Sequence, residues 1–331
     1  MSQVASEATG PALEQNVSAE TADEIGNTPW QLFWFRFKQD RAAFVGLGFL
    51  FFLVVLALLA PLISAVVGHG PNELFKREMT DSFGLPYGPD FSQKFFFGAD
   101  LNGRDLFVRV IYGIQTSLKV ALAATACSVV IGVSLGIMAG YFRGVADTII
   151  SRAIDIVLSM PYLLFALGIS AACSTTVEGC ELPLGIAIKP GLPLVIFIIA
   201  VFTWPFIARI VRGNTLSLRE KEFIEASRSL GASNARVMVK EILPNLVAPI
   251  IVYATLIIPA NIIFESALSF LGLGVPQGTP SWGRMLADAA RVFDVAWWMM
   301  LFPGLFLFLT TLSFNILGDG LRDALDPRTG R

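Results

Sequence analysis

Few side chains in this sequence are equipped for covalent chemistry. One histidine, His69, and three cysteines, Cys127, Cys173 and Cys180, are too few and too scattered along 331 residues for a zinc site or a disulfide-rich scaffold. No Gly-Lys pair occurs anywhere, so the chain lacks the glycine-rich loop that would cradle ATP phosphates by the usual route. What stands out is a polar stretch between apolar runs, EFIEASRSLGASNARVMVKEILPN, which holds Glu222, Glu225, Ala226, Ser227, Gly231, Leu243 and Pro244. Its first part favours a helix, Gly231 tolerates the left-handed backbone that ends one, and Ser233 or Asn234 can cap the next. The spacing predicts a helix-turn-helix closed by Pro244, which offers a surface and no reaction.

Other residues stand out because they are charged where their neighbours are apolar, a costly placement in lipid. Glu265 lies four residues before Ser269, and two readings stay open: it lines a translocation path, or it answers a buried cation in a partner. Arg152 and Asp155, at i and i+3, predict a local ion pair that fixes helix packing at a membrane boundary. Lys119 is a third such charge. Ser128, Gly132, Gly136 and Gly140 repeat at four residues, a spacing of small side chains that lets two helices approach closely. Pro161, Pro205, Pro259 and Pro303 fall inside apolar runs and predict kinks.

These residues must be positioned by helices in lipid. Hydrophobic residues make up 54% of the chain and charged ones only 15%, with a mean hydropathy of +0.66, whereas a soluble domain carries roughly 25% charged residues. That excludes most soluble enzymes, and a net charge of −2 leaves no cationic footprint for nucleic acid. Six stretches reach the roughly 20 apolar residues a crossing helix needs. They are Phe44–Val67, Gly113–Met138, Ala153–Ala172, Leu192–Ile210, Leu246–Phe270 and Trp297–Leu317, so the fold class is all-α, a polytopic membrane protein of six transmembrane helices.

Fifteen of the 24 Lys and Arg fall on the side that holds both termini and eight on the other, which puts both termini in the cytoplasm. Residues 1–28 read as a disordered cytoplasmic tail: Glu7, Glu14, Glu20, Asp23 and Glu24 precede any Lys or Arg, unlike a secretory signal. An aromatic and basic interfacial helix over 29–42 follows, then the first span and an extracytoplasmic loop over 43–112. A core domain over 113–318 contains the polar cytoplasmic loop 213–245, and 319–331 form a cytoplasmic tail. This orientation leaves Cys173 and Cys180 outside the cytoplasm, where thiols are not held reduced, and Gly179 lets the chain turn between them. A disulfide that stiffens a local lid is expected, with Cys127 a buried thiol in the second span.

Glu225-Ala226-Ser227, three residues, Gly231, nine residues and Glu241-Ile242-Leu243-Pro244 together resemble the EAA loop of bacterial ABC importer permeases. That loop reads E-A-A, three residues, G, nine residues, I-x-L-P; Ser227 stands here for its third position and Glu241 for its Ile. Phe97-Gly98-Ala99-Asp100 with Asn102-Gly103-Arg104-Asp105 is similar to the dipeptide, oligopeptide and nickel importer permeases, their C-type subunit above all. So are Ser269-Phe270-Leu271-Gly272-Leu273-Gly274 with Thr279-Pro280-Ser281-Trp282-Gly283, and the run from Leu317 to Arg328. The resemblance covers most of the chain from about Trp30 onward.

The resemblance implies a type I ABC importer permease fold in a bacterial or archaeal inner membrane, with the helix from Glu222 to Gly231 as the coupling helix that docks in a groove of a separate ATPase. It implies a homologous second permease in a heterodimer, two ATP-binding ABC subunits, an extracytoplasmic solute-binding protein, membrane lipid, and neither cofactor nor catalysis in this chain. Di- or oligopeptides are the expected cargo, and nickel or another small solute is the alternative. A stand-alone channel or ion-coupled carrier calls for paired intramembrane acids, or half-helices broken at matching positions, which the sequence does not display clearly.

Overall fold

The computed structural model describes residues 29–174, 180–182 and 186–325. The acidic tail, Gly179 and the residues after Leu325 lie outside them. Helix α1 (Pro29–Gln39) carries Phe33 and Phe37 four residues apart, both buried, while Trp34 and Phe35 stay exposed. Asp40 then caps α2 (Arg41–Val67), its Oδ1 accepting from the amides of Ala42 and Ala43 at 2.9 and 3.1 Å. Helix α2 stops at Gly68, and Asp105 caps the 37-residue α3 (Leu106–Phe142) by accepting from Phe107 N–H at 2.8 Å. Arg143 turns the chain into α4 (Gly144–Ser159), which is followed by α5 (Tyr162–Ser174).

A short antiparallel hairpin, β1 (Cys180–Leu182) and β2 (Ile186–Ile188), leads to α6 (Leu192–Arg219). Helix α7 (Glu222–Ser229) forms part of the polar loop, and α8 (Asn234–Phe270), α9 (Trp282–Ala289) and α10 (Trp298–Leu325) complete the chain.

Five of these helices, α2, α3, α6, α8 and α10, are each long and apolar enough to cross a membrane, so this is a multi-pass membrane protein. The sixth expected span, Ala153–Ala172, is not one helix: α4 and α5 meet at 86°. Proline disfavours helical backbone in the residue before it, and Met160 is accordingly extended, with ψ 137°, ahead of Pro161. By contrast Pro205, Pro259 and Pro303 lie inside continuous helices.

A second correction concerns the polar loop. Pro244 does not close a separate helix, because the chain runs unbroken from Asn234 through Pro244 to Phe270. Residues Val237–Ile242 wind as a wide π turn in which Leu243 N–H donates to Met238 O, a route to accommodating a proline that has no N–H to give.

The bundle is organised around α3 and α6. A Cβ added at Gly132, Gly136 or Gly140 would meet the α6 carbonyls of Trp204, Ala208 and Arg212 at 2.8, 2.7 and 2.8 Å, so the two backbones touch with no side-chain layer between them. At the end away from the polar loop, Trp282 Nε1 donates to Val110 O and Trp298 Nε1 to Ala99 O, both at 3.1 Å. These bonds seat α9 on the first turns of α3 and the start of α10 on the segment that leads into α3. His69 lies against Phe75 and Phe95, its Nδ1 2.7 Å from the buried Asp105 Oδ2.

Candidate functional site

Helix α7 ends in a backbone lock. Gly231 takes φ +84°, its N–H donates to Arg228 O at 2.9 Å, and Ala232 N–H donates to Ser227 O at 3.1 Å. This is the left-handed stop that glycine permits at low cost. Ser233 then starts α8, accepting from Arg236 N–H at 3.4 Å. One side chain pins the short helix down: Ile224 is completely buried in an apolar cluster with Val211, Val237, Ile242 and Leu246. The opposite face is open, with Glu222, Phe223, Glu225 and Ala226 all exposed. Leu230, just beyond the helix, is 89% exposed. Leu243 and Pro244 lie at the base, in the unbroken helix beneath.

Tyr141 at the end of α3 also holds the loop. Its hydroxyl donates to Asn234 Oδ1 at 2.8 Å, and the Arg228 guanidinium stands 4.7 Å over its ring. Neither Tyr141 nor Arg228 was singled out from the sequence. Tyr141 is 93 positions from Asn234, so no local spacing could have joined them. Around the loop, Arg212 Nη2 donates to Asp147 Oδ2 at 2.8 Å, and Arg143 pairs with Glu220.

Glu265 is completely buried inside the chain. Its Oε2 accepts from Ser117 Oγ on α3 at 3.1 Å and its Oε1 from Ser269 Oγ at 2.7 Å, while Ser269 Oγ also takes Val275 N–H at 3.1 Å. Every contact is internal, so the carboxylate joins α8 to α3 and to the turn that follows α8. Asp155 pairs with Arg209 on α6 at 3.0 Å, not with its helix neighbour Arg152, which is exposed. A side chain on a neighbouring helix takes the place of the local partner, and both members are about half exposed, so the pair contributes little. Lys119 is exposed on α3.

Cys173, buried at the end of α5, is joined to Cys180 at the start of β1 by a disulfide. Cys127 was expected to be buried, and it is an exposed thiol on the outer surface of α3. The helix periodicity places it one residue before the buried Ser128, off the packed face. Alkylation of the unreduced full-length protein followed by mass spectrometry should recover Cys173 and Cys180 as one linked peptide and Cys127 as an alkylated thiol. Recovery of Cys173 and Cys180 both alkylated without a reductant would refute the linkage.

Comparison with known proteins identifies the family. Residues 132–331 match the family described as binding-protein-dependent transport system inner membrane component, and residues 28–93 match the N-terminal TM domain of oligopeptide transport permease C. A dipeptide transport system permease protein of Alkalihalophilus pseudofirmus is 37% identical over 91% of this chain and 90% of its own. A glutathione transport system permease protein of Escherichia coli O157:H7 is 39% identical over 91% of each. An oligopeptide transport system permease protein of Haemophilus influenzae is 37% identical over 97% of this chain and 98% of its own. Among solved structures, an inward-facing methionine ABC transporter, MetNI, has a chain that superposes with a TM-score of 0.54 at 19% identity, over 67% of this chain and 98% of that one, a likeness of fold.

Proposed function

The chain belongs to the binding-protein-dependent transport system inner membrane component family, the permeases of ABC importers, and on that premise we propose that it forms half of a pore for short peptides. The other half is a homologous permease, and two separate ABC subunits hydrolyse ATP, so this chain is not itself an enzyme. An extracytoplasmic binding protein delivers the cargo. Relatives named for dipeptide, oligopeptide and glutathione transport support a peptide, because all three names denote short peptides.

One observation carries the coupling role: α7 is anchored from behind by buried Ile224 and by Arg228 over Tyr141, while Glu222, Phe223, Glu225 and Ala226 are exposed, as is Leu230. A helix clamped from behind and open in front transmits force only if something sits in front of it. We assign that place to an ATPase groove, with Glu222, Glu225, Ala226, Ser227 and Gly231 forming the docking unit and Leu243 and Pro244 its base. ATP favours the closed ATPase pair, closure displaces α7, and the helices joined to it turn the pore from one side of the membrane to the other. The driving energy is the difference in ATP affinity between the two states. We assign residues 1–28 to a cytoplasmic tail, 29–42 to an interfacial helix, 43–112 to a first span with its outer loop, 113–318 to the core with its docking loop, and 319–331 to a C-terminal segment that the last helix enters as far as Leu325.

The reading is tested with the chain, its partner permease, ATPases and binding protein in proteoliposomes. Uptake of labelled tri-alanine should require both ATP and the binding protein. Uptake that needs neither would identify a passive channel and overturn the assignment. Orientation has its own test, since the Lys and Arg distribution puts both termini in the cytoplasm. With the native cysteines replaced, Ser82→Cys should react with an impermeant maleimide from outside intact cells and Ser217→Cys should not; the opposite pattern would invert the topology.

A further inference from the structure

At the end of the bundle away from the docking loop, a cleft of about 280 Å³ opens between the segment that leads into α3 and the stretch that surrounds α9. Four arginines line it, Arg104, Arg109, Arg284 and Arg291, against a single lining carboxylate, Asp288. A second carboxylate nearby, Asp100, is shared: its Oδ2 accepts from Arg104 Nε at 2.7 Å and lies 3.4 Å from Arg109 Nε. Arg109 is only 2% exposed. Its Nη1 donates to Pro71 O at 2.8 Å and to Asn72 Oδ1 at 3.0 Å, yet its Nε has no hydrogen-bond partner. Half-buried Arg284 and exposed Arg291 make no side-chain hydrogen bond or ion pair among the described residues.

Two carboxylates therefore face four guanidinium groups. Gathering like charges in a concave, partly desolvated site is unfavourable until an anion enters, and the same concavity focuses the field that draws one in. Guanidinium groups select for a planar anion that accepts two parallel hydrogen bonds, which a carboxylate does. A cleft of about 280 Å³, open on one side, is ample for several waters and for the carboxylate end of a small solute. The side-chain amides of Asn102 and Gln277 at the same cleft can serve the peptide bond next to such a carboxylate.

We propose that this cleft is a binding site for the free carboxylate of a small solute, with Arg284 and Arg291 as its direct partners and Arg104 and Arg109 as fixed positive charge. The proposal rests on the transport reading above and adds to it: the permease itself selects for a free C-terminal carboxylate.

The test uses the full complex in nanodiscs without binding protein, titrated with tri-alanine and with tri-alanine amide and followed by saturation-transfer NMR. The acid should bind at least ten-fold more tightly than the amide, and Arg284→Gln combined with Arg291→Gln should remove that preference. Arg284→Lys should keep part of it, because the charge remains while the fork is lost. Equal binding of acid and amide, or a preference unchanged in the double variant, overturns the site. If the acid does not bind, and the double variant instead weakens attachment of the binding protein, the anion is a protein carboxylate and the proposal falls. Uptake assays on the same preparations separate the two levels. ATP-dependent uptake without acid-selective binding rejects the cleft alone, whereas no ATP-dependent uptake with all components present rejects the transport reading.

Discussion

Gly231→Pro should stop transport and its coupled ATP hydrolysis while the protein remains folded in the membrane. The native residue holds φ at +84° and donates its N–H to Arg228 O. Proline fixes φ near −65° and has no N–H, so both the stop of α7 and the bond that closes it are lost. A misplaced proline costs about 3 kcal/mol or more, which leaves about one loop in a hundred in the docking geometry. Crowding plays no part, since nothing lies within 4 Å of a Cβ built at this position. Gly231→Asn should accordingly keep most activity, as asparagine tolerates the left-handed region. Glu225→Lys should give a comparable loss by a different route, reversing a charge on the open face and leaving the backbone intact. Uptake and ATPase rates in proteoliposomes measure each case; parental rates in both Gly231→Pro and Glu225→Lys would remove α7 from the coupling path.

Gly136→Leu should lower the folded-to-unfolded ratio tenfold or more. A Cβ there would lie 2.7 Å from the Ala208 carbonyl and 2.8 Å from Val211 Cβ, neither of them the movable end of a flexible side chain. The α3 and α6 backbones must separate to admit even one methyl group, and overpacking of that kind costs about 1–3 kcal/mol, occasionally more, for larger side chains. When the purified protein is titrated with sodium dodecyl sulfate, that fall should appear as an unfolding midpoint at a lower detergent fraction. Gly48→Leu is the control, because nothing lies within 4 Å of a Cβ at that exposed α2 position. Equal unfolding midpoints for the two variants would show that the close approach does not hold the bundle together.

Hydropathy located the apolar runs because lipid imposes one requirement on every crossing segment, and the Gly231 stop was legible because a glycine beyond an amphipathic run has few other uses. The glycine repeat named the packed face of α3 but not its partner. Proline was the weaker guide: Pro161 breaks its span, whereas Pro244 lies in a continuous helix just after a wide turn that spares the N–H it lacks. Charge pairing failed in the same way at Asp155, where Arg209 on a neighbouring helix is closer than Arg152 on its own. Contacts such as Trp282 to Val110, 172 positions apart, explain why the arginine cleft was invisible. The stretches around Asn102 and Thr279 each carried a family resemblance, and only folding placed them side by side.

The wide turn at Val237–Ile242 has one further effect, on phase. An α-helix advances 100° per residue, so one extra residue in a turn rotates everything before it by about that angle relative to everything after it. The membrane part of α8 is fixed in azimuth by Glu265 and Ser117, and the loop that precedes α8 by Ile224 and Tyr141. An uninterrupted helix would let one of these settings dictate the other. With the turn inserted, the direction in which α7 faces is decoupled from the direction in which the span faces, so removing a single residue there should turn one by about 100° relative to the other.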